Sequence, residues 1–163
     1  MGIEDRERAG HLPEVQIIQV ETGTQAKGEG TMNELVGKTI VAVFRSSEDT
    51  IIFKDSIGAL HEYTVDGDCC STSWWLMGMN VQSLIGKTIT SVLHDSRSFE
   101  FGTRQERDIS DVFALNVETY NAYTIFEHRN SSNGYYSGDV SYRSPAVLPE
   151  DAVQVTEDHW FTP

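Results

Sequence analysis

The chain reads as a mainly β (α+β) protein: an antiparallel sheet, sandwich or roll-like, with one short helix. Three observations predict this. No proline occurs between Pro13 and Pro145, so nothing in that stretch withholds a ladder hydrogen bond. Its apolar positions are dominated by β-branched and aromatic residues, which suit a pleated surface better than a helix. Short apolar runs recur between turn-forming clusters of Ser, Asp, Asn and Gly.

In chain order, residues 1–32 hold six acidic and three basic side chains. They end in Glu21-Thr-Gly-Thr-Gln-Ala-Lys-Gly-Glu-Gly30, which is too small and polar to bury surface against the entropy of ordering. A flexible N-terminal extension and linker is predicted there, with Val15, Ile17, Ile18 and Val20 suited to an edge strand. A single β-rich domain follows over residues 33–145. It opens with a three-strand meander, Lys38–Arg45, Thr50–Lys54 and Ala59–Val65, joined by Ser46-Ser-Glu-Asp49 and Asp55-Ser-Ile-Gly58. The helix is expected over Ser71–Val81, with Ser71 or Ser73 as its N-cap and Gly78 near its end. Five strands follow: Lys87–Leu93, Ser98–Thr103, Asp111–Thr119, Ala122–His128 and Tyr135–Tyr142. Their turns fall at His94-Asp-Ser-Arg97, Tyr120-Asn121 and Ser131-Ser-Asn-Gly134, the last a hairpin signal because Asn and Gly tolerate positive φ. Past Pro145, residues 146–163 form an acidic C-terminal tail closing in His159-Trp160-Phe161, aromatics expected to dock in a groove.

Leu35-Val-Gly-Lys-Thr-Ile40 recurs as Leu84-Ile-Gly-Lys-Thr-Ile89. This echo reads as chance, as local turn chemistry or as an internal duplication. It is no phosphate-binding loop, because it lacks the upstream glycine run and leads into a strand.

Twelve basic against 25 acidic residues give a net charge of −13, which argues against direct nucleic-acid binding and against an anionic membrane surface. No apolar run reaches bilayer length, and the N-terminus lacks the apolar stretch of a signal peptide. The two cysteines, Cys69 and Cys70, are adjacent and staple nothing distant, which points to a reducing compartment. A soluble protein of the cytoplasm, without a cofactor, is expected.

Asp66-Gly-Asp-Cys-Cys-Ser71 is the most unusual stretch. One reading sets Asp68 and two reactive thiols at a helix N-terminus, where thiol pKa falls. The other makes Asp-Gly the turn and Asp68 the cap, with the cysteines packed as small apolar residues. Adjacent cysteines lack the spacing that turns both sulfurs to one tetrahedral ion, so no metal is expected. His61 and Glu62 point to opposite faces of a strand and read as structural or solvent-facing. No Gly-x-Ser-x-Gly, His-Glu-x-x-His or Cys-x-x-Cys occurs, and a Cys69 nucleophile with His128 and Asp68 rests on composition alone. The chain is therefore read as no enzyme. Consecutive aromatics cannot both face inward along a strand, so one of Tyr135 and Tyr136 faces solvent or a partner. With Trp74, Arg129, Asn130 and Asn133 they offer stacking and hydrogen bonding to a base, a ribose or a protein loop. The expected binding residues are Asp68, Ser73, Trp74, Arg129, Asn130, Asn133, Tyr135 and Tyr136. Arg129, Arg143 and Lys87 supply charge for a ligand with few phosphates.

Four elements carry a family likeness: Leu35-Val-Gly-Lys-Thr-Ile40, Asp66-Gly-Asp-Cys-Cys-Ser71, Leu84-Ile-Gly86 and Ser132-Asn-Gly-Tyr-Tyr-Ser137. On these, from about residue 33 to 143, the chain resembles an uncharacterised family of small proteins encoded mainly by bacteriophages and related bacterial elements. In that family an acidic residue often follows the Cys pair, where this chain has Ser71-Thr-Ser-Trp-Trp75. The resemblance implies origin and domain limits, and brings no activity with it. It directs the expectation to a phage-encoded, non-enzymatic binding protein in the host cytoplasm. Its work would be counter-defence or host takeover, by sequestering a nucleotide-like signal or a host protein. The alternatives are an acidic nucleic-acid mimic that inhibits a host enzyme, and a structural virion component whose arms wrap neighbours in a homo-oligomer.

Overall fold

Ten strands hydrogen-bond into one open antiparallel sheet, as seen in a computed structural model that describes residues 31–47, 49–101, 106–117, 123–132, 138–156 and 159–160. The strands are β1 Thr39–Ser46, β2 Thr50–Asp55, β3 Leu60–Gly67, β4 Ser71–Met79, β5 Lys87–Phe101, β6 Glu106–Val117, β7 Tyr123–Ser132, β8 Gly138–Arg143, β9 Val153–Gln154 and β10 His159–Trp160. Across the sheet they run β10-β4-β7-β6-β5-β1-β2-β3-β8, with β9 also paired to β1. The single short helix among the described residues, α1, is Val81–Leu84, and a 3-10 turn covers Asn33–Leu35. The protein is thus mainly β, as the proline-free, β-branched stretch implied.

The meander forms as its turn residues dictate. β1 pairs with β2 and β2 with β3, all antiparallel. In the second turn Gly58 takes φ 87°, a conformation that costs a residue with a Cβ. Asp55 Oδ1 closes the same turn by accepting from the Ile57 and Ala59 amides at 3.1 and 2.8 Å.

The repeated hexapeptide proves to be the pivot of the sheet. Each copy leaves a short helical turn through a glycine of positive φ, Gly37 at 81° and Gly86 at 75°, and enters a strand. The copies then lie side by side and antiparallel. The Gly37 amide donates to Ile89 O at 2.8 Å, the Gly86 amide donates to Ile40 O at 2.7 Å, and the Thr39 and Thr88 hydroxyls meet at 2.8 Å. Leu35 and Leu84, and likewise Ile40 and Ile89, are fully buried on the same core. Around this pivot β1-β2-β3 lies on one side and β5-β6-β7 on the other. Each half then sends its fourth strand to the other half, so that β4 pairs with β7 and β8 pairs with β3. The strand order therefore has an internal two-fold with exchanged fourth strands, and the echo is its sequence trace.

The structure corrects three expectations. Residues 71–79 are strand β4, not a helix: Ser71 and Ser73 cap nothing, and α1 begins only after Asn80, whose φ is 58°. Eight cross-strand partners on β7, from Ser132 to Ile125, outweigh a weak local helical tendency in a Ser/Thr/Trp-rich segment. The expected turn at His94–Arg97 is absent, since β5 runs straight through it with His94 opposite Phe113 and Asp95 opposite Val112. No β7–β8 hairpin forms at Asn133-Gly134 either, because β7 lies between β4 and β6 while β8 pairs with β3. Asn133 and Gly134, the Tyr120-Asn121 turn and the Val15–Val20 strand lie outside the described residues.

One core joins both halves. Phe53 on β2 lies edge-on to Phe126 on β7 with ring centroids 5.2 Å apart, and to Tyr63 at 5.8 Å. The C-terminal segment adds to the sheet through β9 and β10. The Val155 amide donates to Val43 O at 2.8 Å, and Val155 is buried. Where the exchanged strands pass, Gly67 pairs with Gly138. A Cβ on Gly138 would overlap Ser73 Oγ and stand 2.5 Å from Asn130 Nδ2. Gly138→Ala is therefore expected to destabilise by about 1–3 kcal/mol through overpacking, read as a lower urea midpoint. An unchanged midpoint would show that β8 does not press on these side chains.

Candidate functional site

Three polar assemblies stand out against the apolar core. The first lies where the strands exchange. Asp68, Cys69 and Cys70 make the connection from β3 to β4. Asn133, Tyr135 and Tyr136 fall outside the described residues. Asp68 is exposed and caps no helix; its carbonyl accepts from the Ser71 amide at 3.0 Å. Cys69 and Cys70 form no disulfide and are exposed, with Sγ atoms 3.5 Å apart, so neither packs as a core residue and neither sits at a helix N-terminus.

Strand register brings the remaining expected residues together. Ser73 lies opposite Asn130, Trp74 opposite Arg129, and Trp75 opposite His128. Alternation splits them between two faces. Ser73, Trp75, His128 and Asn130 point inward, and Trp74 and Arg129 point the other way. Asn130 Nδ2 donates to Ser73 Oγ at 2.9 Å, and Arg129 Nε pairs with Glu127 Oε1 at 2.9 Å. Asn130 Oδ1, Trp75 Nε1 and Trp74 Nε1 are buried and find no partner among the described residues.

The second assembly is a relay at the β2–β3 turn. Asp55 and His61, 2% and 5% exposed, meet through Oδ2 and Nε2 at 3.1 Å, and His61 Nδ1 meets the Tyr142 hydroxyl at 3.0 Å. Donors and acceptors match when Nε2–H donates to the Asp55 carboxylate and the Tyr142 O–H donates to Nδ1. Burial by itself would raise the Asp55 pKa, yet the His61 ring and the Ala59 and Ile57 amides together hold it below the usual aspartate value. Burial, and after it the nearby Glu34 carboxylate, raise Tyr142. Its hydroxyl stays protonated at neutral pH and serves as a donor, which suits a structural lock and not a nucleophile. Tyr63 donates to Glu34 Oε2 beside it at 3.2 Å.

The third assembly lies on the opposite face of β3. Glu62, only 2% exposed, forms an ion pair with the exposed Arg143 across from it on β8. The second carboxylate oxygen of Glu62 is buried without a partner. Glu62 lines a cleft of about 500 Å³ between the β1–β2 turn, β3, β8 and Pro149. The reading of His61 and Glu62 as facing opposite ways holds, whereas solvent exposure does not. The signal for this cleft was present in the alternation that sets Glu62 and Thr64 on one strand face, but its partner on β8 is 81 residues away.

Among the described residues no cluster of His, Cys, Asp and Glu is arranged to hold a metal ion, and no helix is long and apolar enough to cross a membrane. A model of a domain of unknown function, DUF7448, matches residues 33–142. The chain belongs to the DUF7448 family. Over 91 residues it is 34% identical to an uncharacterized protein of Acanthamoeba polyphaga mimivirus, a match spanning 54% of this chain and 71% of that relative. No solved structure matches the chain. The family is thus uncharacterised, with a viral relative. Its matched region holds the pivot, the β3–β4 connection, the relay and the floor of the Glu62 cleft.

Proposed function

We propose that this DUF7448 protein is a non-enzymatic binding protein of phage or related viral origin. It acts in the host cytoplasm in counter-defence, by sequestering a small nucleotide-like signal where the strands exchange. One observation carries this reading. Asn130 Oδ1, an acceptor, and Trp75 Nε1, a donor, are buried on facing strands without partners. Each unmet group of this kind costs about 1–3 kcal/mol, a cost that a ligand offsets by presenting a donor and an acceptor together. The edge of a nucleobase does so. Arg129, already paired with Glu127, leaves little positive charge for a polyphosphate. Phe53 against Phe126 supports a sheet curled into a roll, which turns this polar stripe toward an interior. The exposed Asp68, Cys69 and Cys70 stand at the same crossover.

Native mass spectrometry of protein purified from infected cells tests the proposal. The expected result is a small-molecule mass on the wild-type chain that disappears in Asn130→Leu, with circular dichroism unchanged. A bare chain mass in wild type would sink it, and a host protein co-purifying instead would move the reading to protein capture.

A further inference from the structure

We infer that the cleft above Glu62 is a second binding site, separate from the crossover, and that it takes a small organic amine. The buried Glu62 carboxylate sets the chemistry. One oxygen is held by Arg143 and, at 3.4 Å, by the Thr64 hydroxyl. The other has no partner and needs a donor.

The hydroxyls of the cleft supply none. Each hydroxyl on its wall has a single hydrogen, and each is committed to the protein. Ser46 donates to Asp151 Oδ1 at 2.7 Å and Thr50 to Asp49 Oδ1 at 3.0 Å. Ser47 also donates to Asp49. Ser141 donates to the Thr64 carbonyl at 3.2 Å, and Thr64 is the hydroxyl already spent on Glu62. Apart from the N–H groups of Arg143, what remains is lone pairs: the unpartnered oxygen of Glu62, the second oxygen of Asp49 and the hydroxyl oxygens. Among the described residues, the charged ones on the wall are Glu62, Asp49 and Arg143, one negative charge in excess. An ammonium group brings three donors and no acceptor, and its bonds to carboxylates are of the stronger, charge-assisted kind. A phosphate or carboxylate would meet acceptors on every side except at Arg143, which is 71% exposed and stands at the mouth.

A net charge of −13 attracts any cation, so the test must separate a site from an ion atmosphere. The probe is spermidine, titrated calorimetrically into the full-length protein at about 150 mM salt, where diffuse attraction is screened beyond about 8 Å. One-to-one binding is expected. Glu62→Gln should weaken it about tenfold or more, whereas Asp95→Asn, an equal charge change on the exposed part of β5, should weaken it less than about twofold. Equal weakening in the two variants, or no saturable binding to wild type, overturns the inference. So does equal or tighter binding of ribose than of spermidine, since that would assign the site to polyols. Asp49→Asn, at the rim, carries the same prediction should Glu62→Gln fail to fold. The crossover reading stands or falls separately, on Asn130→Leu.

Discussion

Trp75→Ala is expected to cost about 3–5 kcal/mol, the range for truncating a large, fully buried aromatic. Trp75 is the largest fully buried side chain among the described residues. It packs on Phe113 and on His128, each with ring centroids 6.0 Å away, and so ties the exchanged strand β4 to β6 and β7. Native domains hold only about 5–15 kcal/mol in all, so the variant should lie near its unfolding midpoint in mild urea. The neighbouring Trp74, half-buried on the other face, should lose much less on the same change. The contrast reads out the two-residue period of a strand. Urea titrations that gave the two variants equal losses would contradict the placement of residues 71–79 in β4.

Asp55→Ala is expected to cost a comparable amount, about 3–5 kcal/mol, because it leaves three donors at once without their acceptor, at about 1–3 kcal/mol for each one that is buried. The change strips the acceptor from the Ile57 and Ala59 amides and from His61 together. The same residue sets a pH dependence. The native pKa of Asp55 is below its ordinary value of 3.8, so the unfolded chain takes up this proton first as pH falls. The Asp55 contribution is therefore complete above about pH 5, declines as pH drops past the unfolded value of about 3.9, and is gone once pH has fallen through the lower native value. Chemical denaturation of wild type and Asp55→Ala across pH 2.5–6 checks this, with the two curves expected to converge on the acid side. Parallel curves would show that the carboxylate is not held as described.

The fold was legible where the information is local. Alternation, turn residues and the proline-free stretch placed β1, β2 and β3 within a residue or two, and Leu35-Val-Gly-Lys-Thr-Ile40 with its echo marked the two places where a helical turn leads into the sheet. The site residues Ser73, Trp74, Arg129 and Asn130 were chosen by residue type, and strand register does make them neighbours. The faces they occupy could not be foreseen while residues 71–81 were read as a helix. The missed helix and the missed hairpin share one cause: β4 and β8 each pair with the other half of the chain, and local propensity carries no information about a partner some 45 to 80 residues away. The Glu62 cleft escaped for the same reason.

Composition and short-range pattern thus determined by themselves that this protein is mainly β, acidic, built on a doubled turn-to-strand element, and poor in catalytic motifs. Only the tertiary structure decided which strands meet, which face each side chain takes, and that Glu62, Asn130 and Trp75 are buried with hydrogen-bonding capacity unmet. The physical reason is that turn and strand preferences act over a few residues, whereas desolvation of a polar group depends on everything the chain later folds against it.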